Sequence, residues 1–257
     1  MTRASMETIP EIIPDGRPRI LAHKRGAAAP LVLSSLAFFL LAVALLLTVV
    51  DYCCFDLSFF QREYAADGTA KKVGMSDPDL MNATETLLDY LKGERDDILV
   101  TAEIKGTERQ VFDNRETAHM VDVKALYQGA LVVRNVLLAG AVLLLVACVV
   151  LARGRIRKTL RKGFLVGIVA MLVVIALILV YALLDFTSFW NHFHLLLFDN
   201  DLWLLDPRVS IMINMFPATF FSDLVMRVIL WTVICLGAIA LILFFPYRNN
   251  GNQKRER

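Results

Sequence analysis

The stretch RGRIRKTLRKGFLVGIVAMLVVIALILVYALL, residues 153 to 184, joins a basic segment to an uninterrupted apolar run. The apolar part, residues 164 to 184, has about the 20 residues that a helix needs to cross a bilayer. Backbone groups in lipid must form hydrogen bonds within the protein, and a single apolar segment can do so only as a helix. This stretch therefore predicts a transmembrane helix with a basic flank.

Three other segments have the same apolar character. They cover about residues 31 to 50, 130 to 152 and 226 to 246. The chain as a whole is 57% hydrophobic with a mean hydropathy of +0.57, which excludes a water-soluble globular protein. We predict an α-helical integral membrane protein, a single domain over residues 1 to 257, whose core is a four-helix transmembrane bundle.

Lysine and arginine residues near the spans predict the orientation, because they are enriched on the cytoplasmic side. The loop between the second and third spans contains six basic residues and no acidic residue: Arg153, Arg155, Arg157, Lys158, Arg161 and Lys162. Both terminal segments are also basic, whereas residues 51 to 129 hold sixteen Asp or Glu against nine Lys or Arg. We therefore expect both termini in the cytoplasm, an extracellular cap at residues 51 to 129 and an outer loop at residues 185 to 225.

The cap sequence predicts two helices around a hairpin, a small α+β unit. Ser76-Asp77-Pro78-Asp79 is typical of a helix start, and the apolar pattern continues from there to Gly93. Residues 98 to 104 and 109 to 112, joined through Lys105-Gly106-Thr107, indicate the hairpin. Asn114 is then expected to cap a helix that continues into the second span.

The outer segments contain three of the four histidines in the chain. His119 lies on the predicted helix after Asn114, with Glu116 and Asp122 one turn away on either side, and this spacing places all three side chains on one face. A carboxylate beside an imidazole fixes its tautomer and raises its basicity, which favours a general base. The alternative is an ordinary solvated helix face.

The other two histidines, His192 and His194, lie in the outer loop within FWNHFHLLLFDNDLWLLDPRVSIMINMFPATFF, residues 189 to 221. This aromatic segment is too interrupted for a span, so it predicts a re-entrant or interfacial loop whose polar groups are buried in protein or line a cavity. The alternative is an aromatic belt at the membrane surface, anchored by Trp190 and Trp203. The topology brings this loop to the same face as His119.

His192-x-His194 could also form half of a zinc site, but no further ligand motif supports a metal. Arg134 and Arg227 each lie about one turn inside the outer end of a span. Ionisable residues at that depth face a cavity or a partner, or extend to the interface. If they face inward, they are candidates for binding a lipid carbonyl or a carboxyl terminus.

Several short motifs occur together in the outer segments: RETAHMVDVK at 115 to 124, FH at 193 to 194, Phe198, Trp203, DP at 206 to 207 and MFPATFF at 215 to 221. Together with the number of spans, they resemble the lipoprotein intramolecular transacylases (Lit) of Gram-positive bacteria. The resemblance implies a cell-membrane acyltransferase. It would move an acyl chain from the sn-2 oxygen of a diacylglyceryl-modified cysteine to the α-amino group of the same cysteine, giving a lyso-form lipoprotein.

The resemblance also implies the roles of individual residues. His119 and His194 correspond to the two essential histidines, with Asp122 orienting His119. Trp203 and Asp206 would shape the loop that closes over the substrate. The expected partners are the modified lipoprotein N-terminus and membrane lipids, and the site is expected to face the outer leaflet. No cofactor, metal or nucleic acid is expected.

Two other functions fit the same residues. A non-enzymatic binding or accessory membrane protein could use the histidines as an outer-face metal or pH sensor. An acyltransferase or lipase acting on a different lipid would need the same kind of acid/base site. The modification state of lipoprotein N-termini discriminates among the three.

Overall fold

The structure, a computed structural model, describes residues 28 to 152 and 154 to 244. In chain order its elements are α1 (Ala28–Cys54), α2 (Leu57–Asp67), α3 (Thr69–Val73), α4 (Asp77–Lys92), β1 (Thr101–Ile104), β2 (Thr107–Gln110), α5 (Asn114–Ala152), α6 (Ile156–Leu184), α7 (Phe186–Leu197), α8 (Ile211–Met215) and α9 (Ala218–Phe244). The two termini, which we predicted to be cytoplasmic, lie outside the described residues.

Four of these helices, α1, α5, α6 and α9, are long and apolar enough to cross a membrane. They confirm the four predicted spans. Helix α5 is 39 residues long and extends well beyond its apolar run at residues 130 to 152. Its polar first part, residues 114 to 129, continues without a break into the cap, so the cap and one span share a single helix.

Helix α1 packs against the other three membrane helices. Its contact with α6 is close because α6 has glycine where the two backbones approach. A Cβ atom on Gly163 would lie 1.9 Å from Ser34 Oγ, and one on Gly167 would lie 2.6 Å from the carbonyl oxygen of Ser35. Small residues at such contacts are typical of helix pairs in membranes, where close van der Waals packing replaces the hydrophobic effect.

The cap has both predicted helices, α4 and the first part of α5, with the predicted hairpin between them. Ser76 caps α4, since its hydroxyl accepts a hydrogen bond from the Asp79 backbone N–H, and Gly93 ends the helix with a φ of 86°. The first strand is shorter than expected, and the second is shifted by two residues, because Thr107 pairs with Ile104 instead of lying in the turn. The turn is therefore the two residues Lys105 and Gly106, with φ angles of 53° and 82°, as a tight antiparallel hairpin requires.

The cap also contains two helices that the sequence did not predict. Asp56 caps the start of α2, because its side chain accepts a hydrogen bond from the Ser58 backbone N–H. Phe59, Phe60 and Tyr64 on α2 are buried in the cap core. Only three large side chains of α2 face inward, so its amphipathic pattern is weak beside the long apolar run of α1.

The outer loop folds into two short helices, α7 and α8, joined by residues 198 to 210. Helix α7 buries His194 and exposes Leu195 and Leu196, which are 64% and 83% accessible. One buried side and one exposed apolar side are typical of a helix lying in the plane of the membrane surface. The sequence predicted a re-entrant or an interfacial loop, and α7 fits the interfacial form.

Candidate functional site

The predicted convergence of His119 and His194 is confirmed. Their ring centroids lie 6.1 Å apart with 37° between the ring planes, although the residues belong to α5 and α7. Each side chain is only 8% exposed. His119 is carried by the polar part of α5, more than two turns before the apolar run begins, so the pair lies where the cap meets the bundle.

Aromatic side chains form the walls around the two histidines. Phe198 contacts both rings, with centroid distances of 5.3 Å to His119 and 5.7 Å to His194. Trp203 stacks on His194 at 4.8 Å, and Trp190 meets the same ring edge-on at 4.9 Å. These rings surround the imidazoles with largely apolar groups, and electrostatic interactions are stronger there than in water.

The His194 ring has a defined tautomer. Its Nδ1 atom lies 2.8 Å from the backbone carbonyl oxygen of Trp190, four residues earlier on α7. A carbonyl oxygen can only accept, so Nδ1 must carry the proton and donate it. In the neutral ring the lone pair is then on Nε2. Burial lowers the pKa of His194, and the hydrogen bond to Trp190 opposes that change.

The His119 ring is held differently. Its Nδ1 atom is buried and has no hydrogen-bond partner among the described residues. The pKa of His119 is lowered to about 4, mainly by burial and also by the neighbouring His194 and Arg115, while Asp122 acts in the opposite direction. Since the pKa values of both histidines are lowered, both rings are neutral at pH 7.

Asp122 was expected to orient His119, but its recorded hydrogen bond goes elsewhere. Its Oδ2 atom accepts from the Asn200 side-chain amide at 2.9 Å. The backbone carbonyl of Asn200 in turn accepts from the indole N–H of Trp203 at 3.0 Å. Asp122 therefore holds the loop that carries Trp203, and it acts on His119 through its charge and not through a hydrogen bond in the described structure.

Asp206 was predicted to shape the same loop, and it makes local contacts there. Its carboxylate accepts from the Arg208 backbone N–H at 2.9 Å and pairs with the Arg208 guanidinium at 2.5 Å. These hydrogen bonds lower the pKa of Asp206. The contacts fix the turn that precedes α8.

Each of the two intramembrane arginines is paired with an aspartate. Arg134 binds the Asp51 carboxylate at 3.0 Å, and the Tyr127 hydroxyl donates to the same carboxylate at 2.7 Å. Arg227 pairs with Asp56 at the start of α2. These pairs connect the outer ends of α5 and α9 to the chain segment just before and after the end of α1. Of the placements that the sequence allowed, both arginines therefore have the one in which the side chain faces a charged partner within the protein.

Glu116 has a role that the sequence did not reveal. The Glu116 backbone N–H donates a hydrogen bond to the Asp113 side chain, and the Asp113 backbone N–H donates one to the Glu116 side chain. The residue that caps α5 is therefore Asp113 and not Asn114, which we had predicted. This is a capping box. The other carboxyl oxygen accepts from the Ser210 hydroxyl at 2.5 Å and from the Met212 N–H at 2.8 Å. Glu116 is 1% exposed, and it ties α8 to α5 one turn before His119.

His192 is separate from the pair. It lies on α7, where residues two apart point in different directions, and not on a strand, where an H-x-H pair would share one side. Its Nδ1 atom lies 2.8 Å from the Tyr181 hydroxyl and 2.7 Å from the Ser188 carbonyl oxygen. Within residues 28 to 152 and 154 to 244, no three His, Cys, Asp or Glu side chains are grouped as metal ligands would be.

Comparison with known proteins identifies relatives of this arrangement. The family model of the lipoprotein intramolecular transacylase Lit matches residues 35 to 221. Solved structures of the membrane-integral Lit from Bacillus cereus superpose with TM-scores of 0.61 to 0.63 at 16 to 17% identity. They cover 82% of this chain and 90 to 94% of their own, and two of them carry a histidine replaced by arginine or alanine. No curated protein matches the chain.

Proposed function

The chain belongs to the lipoprotein intramolecular transacylase (Lit) family, and from this premise we propose that His119 and His194 catalyse its acyl transfer. Membership of the family makes the protein an acyltransferase that acts on lipoproteins. In the proposed reaction the acyl chain leaves the sn-2 oxygen of a diacylglyceryl-modified cysteine and joins the α-amino group of the same cysteine. The product is a lyso-form lipoprotein with an N-acyl group.

The reaction needs proton transfer more than an activated nucleophile. The neutral amine attacks the acyl carbon through an eight-membered ring of N, Cα, Cβ, S, two glyceryl carbons, O and the acyl carbon. The new C–N bond forms, the C–O bond to the glyceryl oxygen breaks, and one proton moves from nitrogen to that oxygen. Because both reacting groups belong to one molecule, positioning supplies much of the rate enhancement. The reaction consumes no water and forms no acyl-enzyme intermediate.

His194 is the proposed base. Its Nδ1–H donates to the Trp190 carbonyl, which leaves the Nε2 lone pair to accept a proton from the attacking amine. His119 is the proposed donor that stabilises the oxyanion and protonates the leaving glyceryl oxygen. The proton that His194 took from the amine then passes to His119, so both rings end neutral. Two neutral imidazoles are suited to these roles, since one must accept a proton and the other must donate one.

The observation that carries the proposal is the neighbouring placement of two buried, neutral histidines. A centroid distance of 6.1 Å allows one ester group to contact both rings. The surrounding aromatic side chains limit the access of water, which would otherwise hydrolyse the ester instead of leaving it for the amine. The orientation predicted from the basic loops supports a site at the outer leaflet, where mature lipoproteins carry their lipid.

The test is a reaction of the purified full-length chain with a synthetic diacylglyceryl-cysteine lipopeptide. Substrate and product are isomers, so intact mass does not distinguish them. The product is identified by fragmentation mass spectrometry, which locates the acyl chain, and by loss of the amine-reactive N-terminus. We expect conversion of the free-amine lipopeptide and none of its N-acetylated analogue.

A mixture of two lipopeptides with different isotopically labelled acyl chains tests the intramolecular step. We expect each peptide to keep its own label. Exchange of labels between peptides would show an intermolecular acyltransferase, and release of free fatty acid would show a lipase. Binding of the lipopeptide without conversion would support the accessory-protein alternative.

A further inference from the structure

The far end of the bundle from the histidine pair contains a basic groove. The groove has a volume of about 820 Å³ and lies between the start of α6 and the end of α9. Its basic lining residues are Arg155, Arg157, Lys158, Arg161 and Lys162. Five cations around one opening repel each other, so the groove favours an anionic ligand.

The described structure offers these cations no acidic partner. Helix α6 contains no Asp or Glu, and the only acidic residue of α9 is Asp223, at the opposite end of that helix. Among the described residues, the recorded ion pairs all involve other basic residues. The positive charge of the groove is therefore uncompensated by the part of the bundle that the structure describes.

Arg161 gives the groove a fixed donor. Its guanidinium donates to the carbonyl oxygen of Leu243 at 3.2 Å and lies 5.5 Å from the Phe244 ring centroid. These contacts hold the side chain between α6 and α9. Its Nε atom is buried and has no hydrogen-bond partner among the described residues. A buried donor without a partner is costly.

The groove also has an apolar side. Leu165 and Phe244 line it together with the cations, and they are 51% and 38% exposed. Both residues lie at the ends of apolar spans, where the hydrocarbon of the bilayer begins. A free inorganic anion would use only the basic part of such a lining, whereas a phospholipid would place its phosphate on the cations and its acyl chains along the apolar side chains.

We propose that this groove binds the headgroup of an anionic phospholipid, such as phosphatidylglycerol. The bound lipid would anchor the start of α6 and the end of α9. Lys158 and Lys162 are exposed and one turn apart, so they reach a headgroup as neighbouring point charges. Arg161 supplies the fixed donor. The binding is independent of the acyl-transfer reaction and lies at the other end of the membrane helices.

The test uses the full-length chain in detergent and native mass spectrometry with phosphatidylglycerol or phosphatidylcholine of identical acyl chains. The test variant is Lys158→Gln/Lys162→Gln, and the matched control is Lys71→Gln/Lys72→Gln in the cap. Basic residues near anionic lipid typically contribute roughly a fivefold change in affinity each. We therefore expect phosphatidylglycerol to bind preferentially, and about 25 times more weakly to the test variant, with the control variant unchanged.

Three outcomes would overturn the proposal. The first is equal binding of the two lipids to the unsubstituted chain, and the second is equal loss of phosphatidylglycerol binding in the test and control variants. The third is full displacement of the lipid by millimolar inorganic phosphate, which would show that the groove takes a free anion. Both variants replace exposed side chains, so thermal unfolding in detergent serves as the check that each is folded.

Discussion

His119 and His194 lie with their ring centroids 6.1 Å apart, while 74 residues of chain, including two whole spans, separate them in sequence. Only the fold brings them together. The arrangement predicts that either histidine is required for acyl transfer. His119→Ala and His194→Ala should each lower the rate by about 10² to 10⁴, the usual effect of losing a general acid or base.

His192→Ala is the matched control for these variants. His192 is exposed and bonded to Tyr181 and Ser188, so its replacement should leave most of the activity. Rates are measured by conversion of the lipopeptide at equal amounts of folded protein. A normal rate in either His119→Ala or His194→Ala would assign that residue a structural role.

The second prediction concerns pH. The substrate α-amino group has a pKa of about 7.7 to 8 and must lose a proton to react, so the rate should fall tenfold per unit of pH below about 8. A base with an ordinary histidine pKa would make the fall steeper below about 6.5. Burial lowers the pKa of both histidines, of His119 to about 4. Any further break that these histidines give to the profile should therefore lie below pH 6.5, and the slope should remain tenfold per unit down to that break.

The measurement is the pH dependence of kcat/KM, with the amine pKa of the lipopeptide titrated separately in the same micelles. A break to a steeper slope near pH 6.5 would show that at least one essential histidine has an ordinary pKa. The interpretation that burial lowers the pKa of both histidines would then be wrong.

The sequence predicted the parts of this fold that depend on local pattern. Four apolar runs predicted four spans, Ser76 and Gly93 marked the ends of α4, and the side of the membrane assigned to each loop brought two histidines together. It did not predict which hydrogen bonds join distant segments. Glu116 was paired with His119 because the two residues are three apart, whereas its carboxyl group bonds to Ser210 on another element.

Asp122 shows the same limit. Its spacing from His119 is correct for one helix face, but Asn200 lies close enough to take the hydrogen bond. Helical spacing says which side chains share a face and not which partner a carboxylate meets there. The cap helices α2 and α3 were missed for a different reason, because short helices carry too few buried residues to produce a clear period.

The third prediction concerns Glu116. Glu116→Ala removes the acceptor for the Ser210 hydroxyl and the Met212 N–H, and it leaves these donors without a partner in the protein interior. Lost hydrogen bonds to a charged group cost about 1.5 to 3 kcal/mol each, so the variant should lose about 3 kcal/mol of unfolding free energy or more. Glu116→Gln retains one acceptor oxygen and should lose less.

Ser210→Ala removes only one of these donors and serves as the graded control. Unfolding in denaturant, followed by loss of tryptophan fluorescence, gives the three values. Equal stability of Glu116→Ala and the unsubstituted chain would mean that the tie between α5 and α8 does not contribute to the fold.

The fourth prediction concerns the ion pair between Arg134 and Asp51. Arg134→Gln should destabilise the protein, because it leaves a half-buried carboxylate with only the Tyr127 hydroxyl as a side-chain partner in the described structure. The double variant Arg134→Gln/Asp51→Asn should recover part of the loss, since the uncompensated charge is then removed. Thermal unfolding of the unsubstituted chain, Arg134→Gln, Asp51→Asn and the double variant gives the coupling energy between the two residues. A rise in KM that the double variant does not reverse would instead indicate that Arg134 binds substrate.

The last prediction concerns the effect of Trp203 on the pH dependence of the rate. Trp203 stacks on His194 at 4.8 Å and helps to bury it. Trp203→Ala exposes the ring to water, which weakens the burial that lowers its pKa, so the pKa of His194 should rise towards 6.5. A larger fraction of the base is then protonated in mildly acidic solution. The ratio of the rate at pH 6 to the rate at pH 8 should therefore fall below that of the unsubstituted chain.

Trp203→Phe retains a stacked ring and should keep the original ratio, although it loses the indole N–H that bonds to Asn200. Trp231→Ala is the matched control, because Trp231 is 43% exposed on α9 and belongs to no wall of the site. An equal fall in the rate at both pH values in Trp203→Ala would contradict this prediction. Trp203 would then act on substrate binding or on the position of the loop, and it would not control the protonation of His194.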